Sequence, residues 1–289
     1  MSDFYFAYGS NLNLKDLREY EERNYANVKK SFVDSISISD GIFFLPDYQL
    51  QFTVYSEGRE GGVLDVTPNV GHVVAGKLFQ VDDWNLLDMK EGSPNFYKRI
   101  SITVIDENGK TFDAFTYVVS SKNKTGHVKP NQRYVKIVSE GYNEFGISEK
   151  LPLAYENLIS ASENKECEMI DSMFVYGTLR KQECREKIMN EISHYWKNIT
   201  IRAKMYDIGA FPAIVLDEGI VYGEIHKIKK ETSSFDILDL VEGFTDYGKS
   251  SLYHRILINS SQGVCWTYVW NGTTENYKVI ESGNWRTRE

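Results

Sequence analysis

The sequence predicts an α+β protein built twice along its length, each copy a curved sheet of short strands flanked by helices. Two observations carry that expectation. The first is an internal repeat: Phe6-Ala7-Tyr8-Gly9-Ser10-Asn11-Leu12 returns as Phe174-Val175-Tyr176-Gly177-Thr178-Leu179, and four further signals follow each copy in the same order. Val74-Ala75-Gly76-Lys77-Leu78-Phe79 answers to Val221-Tyr222-Gly223-Glu224-Ile225-His226, and Leu87-Asp88-Met89-Lys90-Glu91-Gly92 to Leu238-Asp239-Leu240-Val241-Glu242-Gly243. Tyr97-Lys98-Arg99-Ile100 then matches Tyr253-His254-Arg255-Ile256, and Phe115-Thr116-Tyr117-Val118 matches Trp266-Thr267-Tyr268-Val269. Matches in fixed order are the mark of duplication. The second observation is composition: 42% hydrophobic residues with 19 Tyr, 15 Phe and 5 Trp in 289 residues is globular and rich in strand formers. Two domains are expected, residues 1–160 and 173–289, joined by a polar, aperiodic linker over 161–172.

Charge and cysteine usage narrow the function. A net charge of −8 offers no broad basic footprint for a phosphate backbone, so a small molecule rather than nucleic acid is the expected partner. No apolar run is long enough to cross a bilayer, and Met1-Ser2-Asp3-Phe4 lacks the features of a secretory signal, so the expected setting is cytosolic and away from membranes. Cys167, Cys184 and Cys265 lie far apart, with no CxxC and no His at metal spacing, which predicts free thiols and no zinc site. Nothing in the sequence speaks to oligomeric state.

Along the first copy, Phe4, Phe6 and Tyr8 alternate with Tyr5 and Ala7 into a strand that leaves through Gly9-Ser10-Asn11. Asn13 is placed to cap a helix beginning at Leu14. From Ser31 to Phe79 the expectation is several short strands, parted by turns at Asp40-Gly41, Pro46-Asp47, Gly58, Gly61-Gly62 and Pro68-Asn69-Val70-Gly71. Gly61-Gly62 lets backbone approach either a ligand or another strand. A short helix capped by Asp82 or Asp83 ends at Gly92, and Asn108-Gly109 turns a hairpin between Ile100 and Val119. Helical spacing returns after Pro130 with Tyr134, Ile137 and Val138 on one side, and a second short helix lies near Leu153 to Leu158.

In the second copy, Gly and Pro punctuate two strands within Ala203 to Val215. Arg180 and Lys181 follow the glycine turn, where they either draw an anion toward its N–H groups or serve as solvated surface. Asp246-Tyr247-Gly248-Lys249-Ser250 reads as a loop over a site, and no counterpart of the first copy's two terminal helices follows.

The acid closing each short helix is the main chemical clue. A helix C-terminus carries partial negative charge, so a Glu in the last turn is disfavoured as the anion and its pKa is driven up. One such residue is an accident of the surface. Glu91-Gly92 and Glu242-Gly243, repeated at the same place, suit a proton-accepting role instead. A strand, a glycine turn and a helix start also aim backbone N–H groups at one point, fit for a carboxylate or an oxyanion.

These residues resemble the gamma-glutamylcyclotransferase family. The first half matches gamma-glutamylcyclotransferase through Phe6 to Leu12, Gly61-Gly62, Glu91-Gly92, Tyr97, Gln132-Arg133-Tyr134, Gly141-Tyr142 and Leu151-Pro152-Leu153. The second half looks like the shorter branch that includes gamma-glutamylamine cyclotransferase and the plant avirulence-induced proteins. There the matches are Val175 to Arg180, Gly209-Ala210-Phe211-Pro212-Ala213, Glu242-Gly243, Tyr253 with Arg255, and Gly283-Asn284-Trp285-Arg286. The resemblance implies two mixed β-barrels flanked by helices, with glycine turn and Glu meeting at one barrel end. It implies a reaction too: the α-amine of a gamma-glutamyl compound attacks its own side-chain amide, closing 5-oxoproline and releasing an amino acid or amine. That is an amine-releasing lyase, an acyl transfer to the substrate's own amine.

Ring closure of this kind is intramolecular, so holding the chain folded supplies most of the advantage and no cofactor, metal or nucleotide is needed. By resemblance Glu91 and Glu242 shuttle the proton. Backbone N–H groups of Gly9, Ser10 and Asn11, and of Gly177, Thr178 and Leu179, would hold the substrate, with Tyr8, Leu12 and Tyr176 in the same turns. Tyr97 and Tyr134 are candidates to shape the first pocket and Tyr253 the second, each equally compatible with core packing. Two other readings stand beside this one: a non-catalytic binder of small carboxylates with one or both sites idle, and a thiol amidase using Cys184.

Overall fold

The computed structural model describes residues 3–25, 31–248 and 250–288. Met1, Ser2 and Lys249, the last within the expected second-copy loop, lie outside them. The chain divides into two compact units, Met1–Asp106 with Thr111–Glu168, and Glu107–Lys110 with Met169–Glu289.

The first unit runs β1 (Asp3–Ala7), a 3-10 turn (Ser10–Leu12), α1 (Leu14–Asn24), β2 (Ser37–Ile38), β3 (Phe43–Ser56), β4 (Gly61–Val81) and α2 (Asn85–Glu91). It continues through β5 (Tyr97–Asp106), β6 (Thr111–Val119), α3 (Gln132–Glu144), α4 (Ile147–Lys150) and α5 (Pro152–Ser162). The strand order β1-β6-β5-β3-β4 returns to β1, closing a barrel, with β2 appended to β4. Only β1 and β6 run parallel; the other barrel pairs are antiparallel.

Asn13 caps α1 as expected, its Oδ1 accepting from the Asp16 N–H at 3.0 Å. Asn108-Gly109 turns the β5–β6 hairpin, with Gly109 at φ 78°. The short strands expected up to Phe79 are instead two long ones. Pro46-Asp47 and Pro68 to Gly71, anticipated as turns, face each other within the β3–β4 ladder, where the register shifts between Pro46 and Tyr48. Asp47 takes up the break at φ 61° and accepts the Gly71 N–H at 2.9 Å. A bulge bends a hairpin without ending it, so the outer parts of β3 and β4 form an arm beyond the barrel. Gly61-Gly62 serves chain crossing rather than a ligand: a Cβ on Gly62 would lie 2.0 Å from the Val128 carbonyl oxygen.

The second unit contains β7 (Ser172–Val175), α6 (Glu186–Ile192), β8 (Ser193–Ile201), β9 (Lys204–Asp207), β10 (Pro212–Val215) and β11 (Val221–Ile228). It ends with α7 (Thr232–Glu242), β12 (Tyr253–Ser260), β13 (Gly263–Trp270) and β14 (Lys278–Val279). Its strands form a five-stranded sheet, β12-β13-β7-β11-β8, and a three-stranded one, β10-β9-β14. The connectivity of the first unit recurs: β7 lies antiparallel to β11 and parallel to β13, as β1 lies to β4 and β6. Residues 161–172 are not a free tether. α5 extends to Ser162, Cys167 and Ile170 are buried, and the Cys167 carbonyl meets His72 Nε2 at 2.9 Å.

The repeat extends to individual bonds. Tyr8 donates to the Tyr117 carbonyl at 2.7 Å and Tyr176 to that of Tyr268 at 2.8 Å. Thr116 donates to the Phe6 carbonyl at 2.8 Å and Thr267 to that of Phe174 at 3.1 Å. The repeated glycine of β4 and β11 has a steric cause. A Cβ on Gly76 would stand 2.2 Å from the Ala7 oxygen, and one on Gly223 would stand 2.4 Å from the Phe174 ring. Gly76→Ala or Gly223→Ala is therefore expected to destabilise its unit by about 2–3 kcal/mol through overpacking, read as a lower urea midpoint.

Candidate active site

Each acid is delivered by a short helix pinned to the sheet. Asp88 in α2 accepts the Tyr117 O–H at 2.6 Å and lies 3.4 Å from Arg99, while Asp239 in α7 accepts the Tyr268 O–H at 2.5 Å and lies 3.4 Å from Arg255. Glu91 and Glu242 follow three residues later. Gly92 and Gly243 then stop the helices in the left-handed region at φ 59° and 62°. Pinning the Asp sets where the Glu one turn on must point.

In the first unit Glu91 reaches the glycine turn directly. Asn11 Nδ2 donates to Glu91 Oε1 at 2.9 Å and to the Tyr5 hydroxyl at 2.8 Å. Lys90 Nζ adds a bond to Asn11 Oδ1 at 2.6 Å and approaches Glu91 Oε1 at 3.3 Å. Glu91, Gly9, Ser10, Asn11, Tyr8, Tyr97 and Tyr134 line a small recess that opens into a cavity of about 570 Å³. Leu12 is fully buried and does not line either space. The turn closes on Leu12 N–H to the Gly9 carbonyl and Asn13 N–H to the Ser10 carbonyl, both 3.0 Å. The N–H groups of Gly9, Ser10 and Asn11 stand outside those two bonds.

The tyrosines act as walls. Tyr97 donates to the Leu64 carbonyl at 2.6 Å and Tyr134 accepts the Leu64 N–H at 3.3 Å, so both brace β4 behind the turn. Burial pushes the phenols of Tyr5, Tyr8, Tyr97 and Tyr134 upward, which keeps them neutral.

In the second unit Tyr176, Gly177, Thr178, Leu179, Glu242 and Tyr253 line one pocket of about 200 Å³. Tyr253 donates to the Pro212 carbonyl at 2.7 Å, the counterpart of Tyr97 on Leu64. Leu179 stands where the first unit has Asn11, and Val241 where it has Lys90. Burial pushes Glu242 up to about 7 against the opposing pull of the Arg185 guanidinium. Desolvation, rather than the helix end invoked from sequence, is the main cause.

Sequence reasoning missed Arg185, which lines this pocket from an aperiodic stretch, and gave no site role to Phe211 and Pro212, which it read as strand punctuation and as part of a family motif. It missed Arg59 and Arg133 at the first cavity, which the β3–β4 arm and α3 bring in. Arg180 is corrected. It is buried 3.5 Å from Glu224 and donates to Asn284 Oδ1 at 2.8 Å, tying the C-terminal segment to β11 instead of drawing an anion to the turn. Cys184 is exposed and does not line the pocket.

Two small α+β units, each with a helix-end carboxyl and a glycine turn lining one pocket, repeat a single arrangement within the chain. The model of "Gamma-glutamyl cyclotransferase, AIG2-like" matches residues 173–287, and that of "AIG2-like family" matches residues 73–155. The gamma-glutamylcyclotransferase family protein ytfP of Citrobacter rodentium is 30% identical over 118 residues, covering 40% of this chain and 96% of that protein. The gamma-L-glutamyl-butirosin B gamma-glutamyl cyclotransferase of Niallia circulans is 32% identical over 120 residues, covering 40% of this chain and 75% of that one. A solved gamma-glutamyl cyclotransferase structure is 28% identical, covering 55% of this chain and 88% of that one at a TM-score of 0.44. The chain belongs to the gamma-glutamylcyclotransferase family, as a tandem member.

The raised Glu242 yields a signed expectation. A carboxyl whose folded pKa exceeds its unfolded value costs stability once the unfolded chain ionises, near 4.5, and the cost is complete above about 7. Glu242→Gln should therefore raise the melting temperature of the second unit at pH 8, with the gain shrinking toward pH 4.

Proposed function

We propose that both units catalyse intramolecular cyclotransfer on gamma-glutamyl amino acids or amines, releasing 5-oxoproline and the free amino acid or amine, in a cytosolic setting. Family membership supports cyclotransferase activity in general. The observation that carries the finer reading is that each helix-end Glu shares a cavity with its glycine turn.

In the first unit the substrate's α-carboxylate or the developing oxyanion rests on the N–H groups of Gly9, Ser10 and Asn11, and in the second on those of Gly177, Thr178 and Leu179. The α-ammonium gives a proton to Glu91 or Glu242, and the freed amine attacks the γ-carbonyl carbon. The new C–N bond closes the ring. The bond to the leaving nitrogen breaks as that nitrogen takes the proton from the same carboxyl, and the surplus proton of the new ring nitrogen follows through the carboxylate to the departing amine, leaving a neutral lactam with no water consumed. Tyr97, Tyr134 and Tyr253, neutral and braced on backbone, hold the walls that keep the chain folded.

The test is incubation with a panel of gamma-glutamyl amino acids and amines, following 5-oxoproline. Glu91→Gln and Glu242→Gln should each silence one unit by about 10²–10⁴-fold, and the double variant should lose turnover altogether. Unchanged turnover in the double variant removes the mechanism. In a Glu91→Gln background, kcat/KM should climb with pH through about 7 as Glu242 becomes the base. A flat profile from pH 5 to 9 would contradict its role.

A further inference from the structure

The two acids are held differently, and the difference lies in two side chains. Lys90 and Glu91 are consecutive on α2, and neighbours in a helix point away from each other. Their side chains nevertheless converge, because the Asn11 amide stands between them: its Nδ2 donates to Glu91 Oε1 at 2.9 Å while its Oδ1 accepts from Lys90 Nζ at 2.6 Å. The ammonium itself lies 3.3 Å from Glu91 Oε1 and 5.2 Å from the centre of the Tyr20 ring. A lysine whose side chain is only 11% exposed, held by three groups, is not a solvated surface charge. Among the described residues both donors meet Oε1, which leaves Oε2 as the oxygen to take a proton.

We propose that Lys90, acting through Asn11, is a positioning residue for Glu91, fixing Oε1 so that Oε2 alone meets the substrate amine. The inference rests on the cyclotransferase reading of the first site. A carboxylate on a flexible side chain presents either oxygen in many orientations, and only a few place it in line with the α-ammonium. Locking one oxygen with two donors removes that freedom before substrate arrives. The ammonium has a second effect, since a cation beside the site makes loss of a proton from the substrate's own ammonium easier. The second unit has Leu179 and Val241 at these positions, so this device belongs to the first unit alone.

The test removes the lysine cation and gives Asn11 the second unit's residue. In a Glu242→Gln background, which isolates the first site, Lys90→Met and Asn11→Leu should each lower kcat by about 100-fold while KM and melting temperature stay nearly constant. The combined variant should be no worse than either single one, as groups acting as a unit are non-additive. Lys90→Arg, which keeps the cation, should recover most of kcat. A kcat for Lys90→Met equal to that of its parent overturns the proposal. So does a change confined to KM, which would make Lys90 a substrate ligand, or a loss that tracks melting temperature and is not recovered by Lys90→Arg. Absence of 5-oxoproline from the Glu242→Gln parent would overturn the reading of the first site itself, and this inference with it.

Discussion

A tyrosine hydroxyl bonded to an aspartate fixes the chemistry of each half. Tyr117 comes from β6 and Tyr268 from β13, the strands that lie parallel to β1 and β7. The strand that launches the glycine turn therefore has, as its parallel neighbour, the strand that anchors the acid-bearing helix. Arg99 and Arg255 back the aspartates and stack on aromatic rings, Arg99 at 4.3 Å from Trp84 and Arg255 at 4.6 Å from Phe235. A carboxylate that accepts from a phenol and pairs with a guanidinium 3.4 Å away has little freedom to wander. With the helix held there and halted by glycine in the left-handed region, the glutamate one turn later has few places to go.

Around this shared frame the two acids live in different surroundings. Glu91 sits within a mesh of polar groups, with an amide and an ammonium on one oxygen. Glu242 faces Phe211, Pro212, Leu240 and Leu252 with one guanidinium nearby, and its proton affinity rises because water is excluded. Similar backbones thus present a carboxyl that is directed and a carboxyl that is desolvated. Desolvation of the second kind is a recognised way of fitting an acid to proton transfer near neutrality.

Much of this frame was legible in the sequence because short-range physics wrote it. A glycine is required where a Cβ would strike Ala7 or Phe174, and where a helix must end in the left-handed region, so the repeat survives at those points and can be read. Asn13 and Asn108-Gly109 are local devices and behave as such. The β3–β4 arm was not legible: Pro46-Asp47 and Pro68 to Gly71 carry turn chemistry, but long-range pairing across the ladder turns them into facing breaks. α6 and β8 gave no usable pattern, since most of β8's side chains are exposed. Arg180 was misplaced for a similar reason. Its partner Glu224 lies 44 positions away, a pairing that no local rule reveals. The raised pKa of Glu242 was anticipated, but from the helix end, whereas enclosure by side chains distant in sequence is what produces it.

The arm that bulges out of the first barrel has a consequence for how such a protein diversifies. Its tip and the start of α3 bring Arg59, Glu60 and Arg133 to the outer cavity, and its Leu64 with Tyr134 of α3 completes the recess around Glu91. The outer vestibule and the inner chamber thus share walls, both finished by the arm and α3. Residues at the very tip of the arm, Arg59 and Glu60, reach only the outer space, so their charge can change without touching the bonds around Glu91, whereas a deletion that removed Leu64 would open the chamber itself.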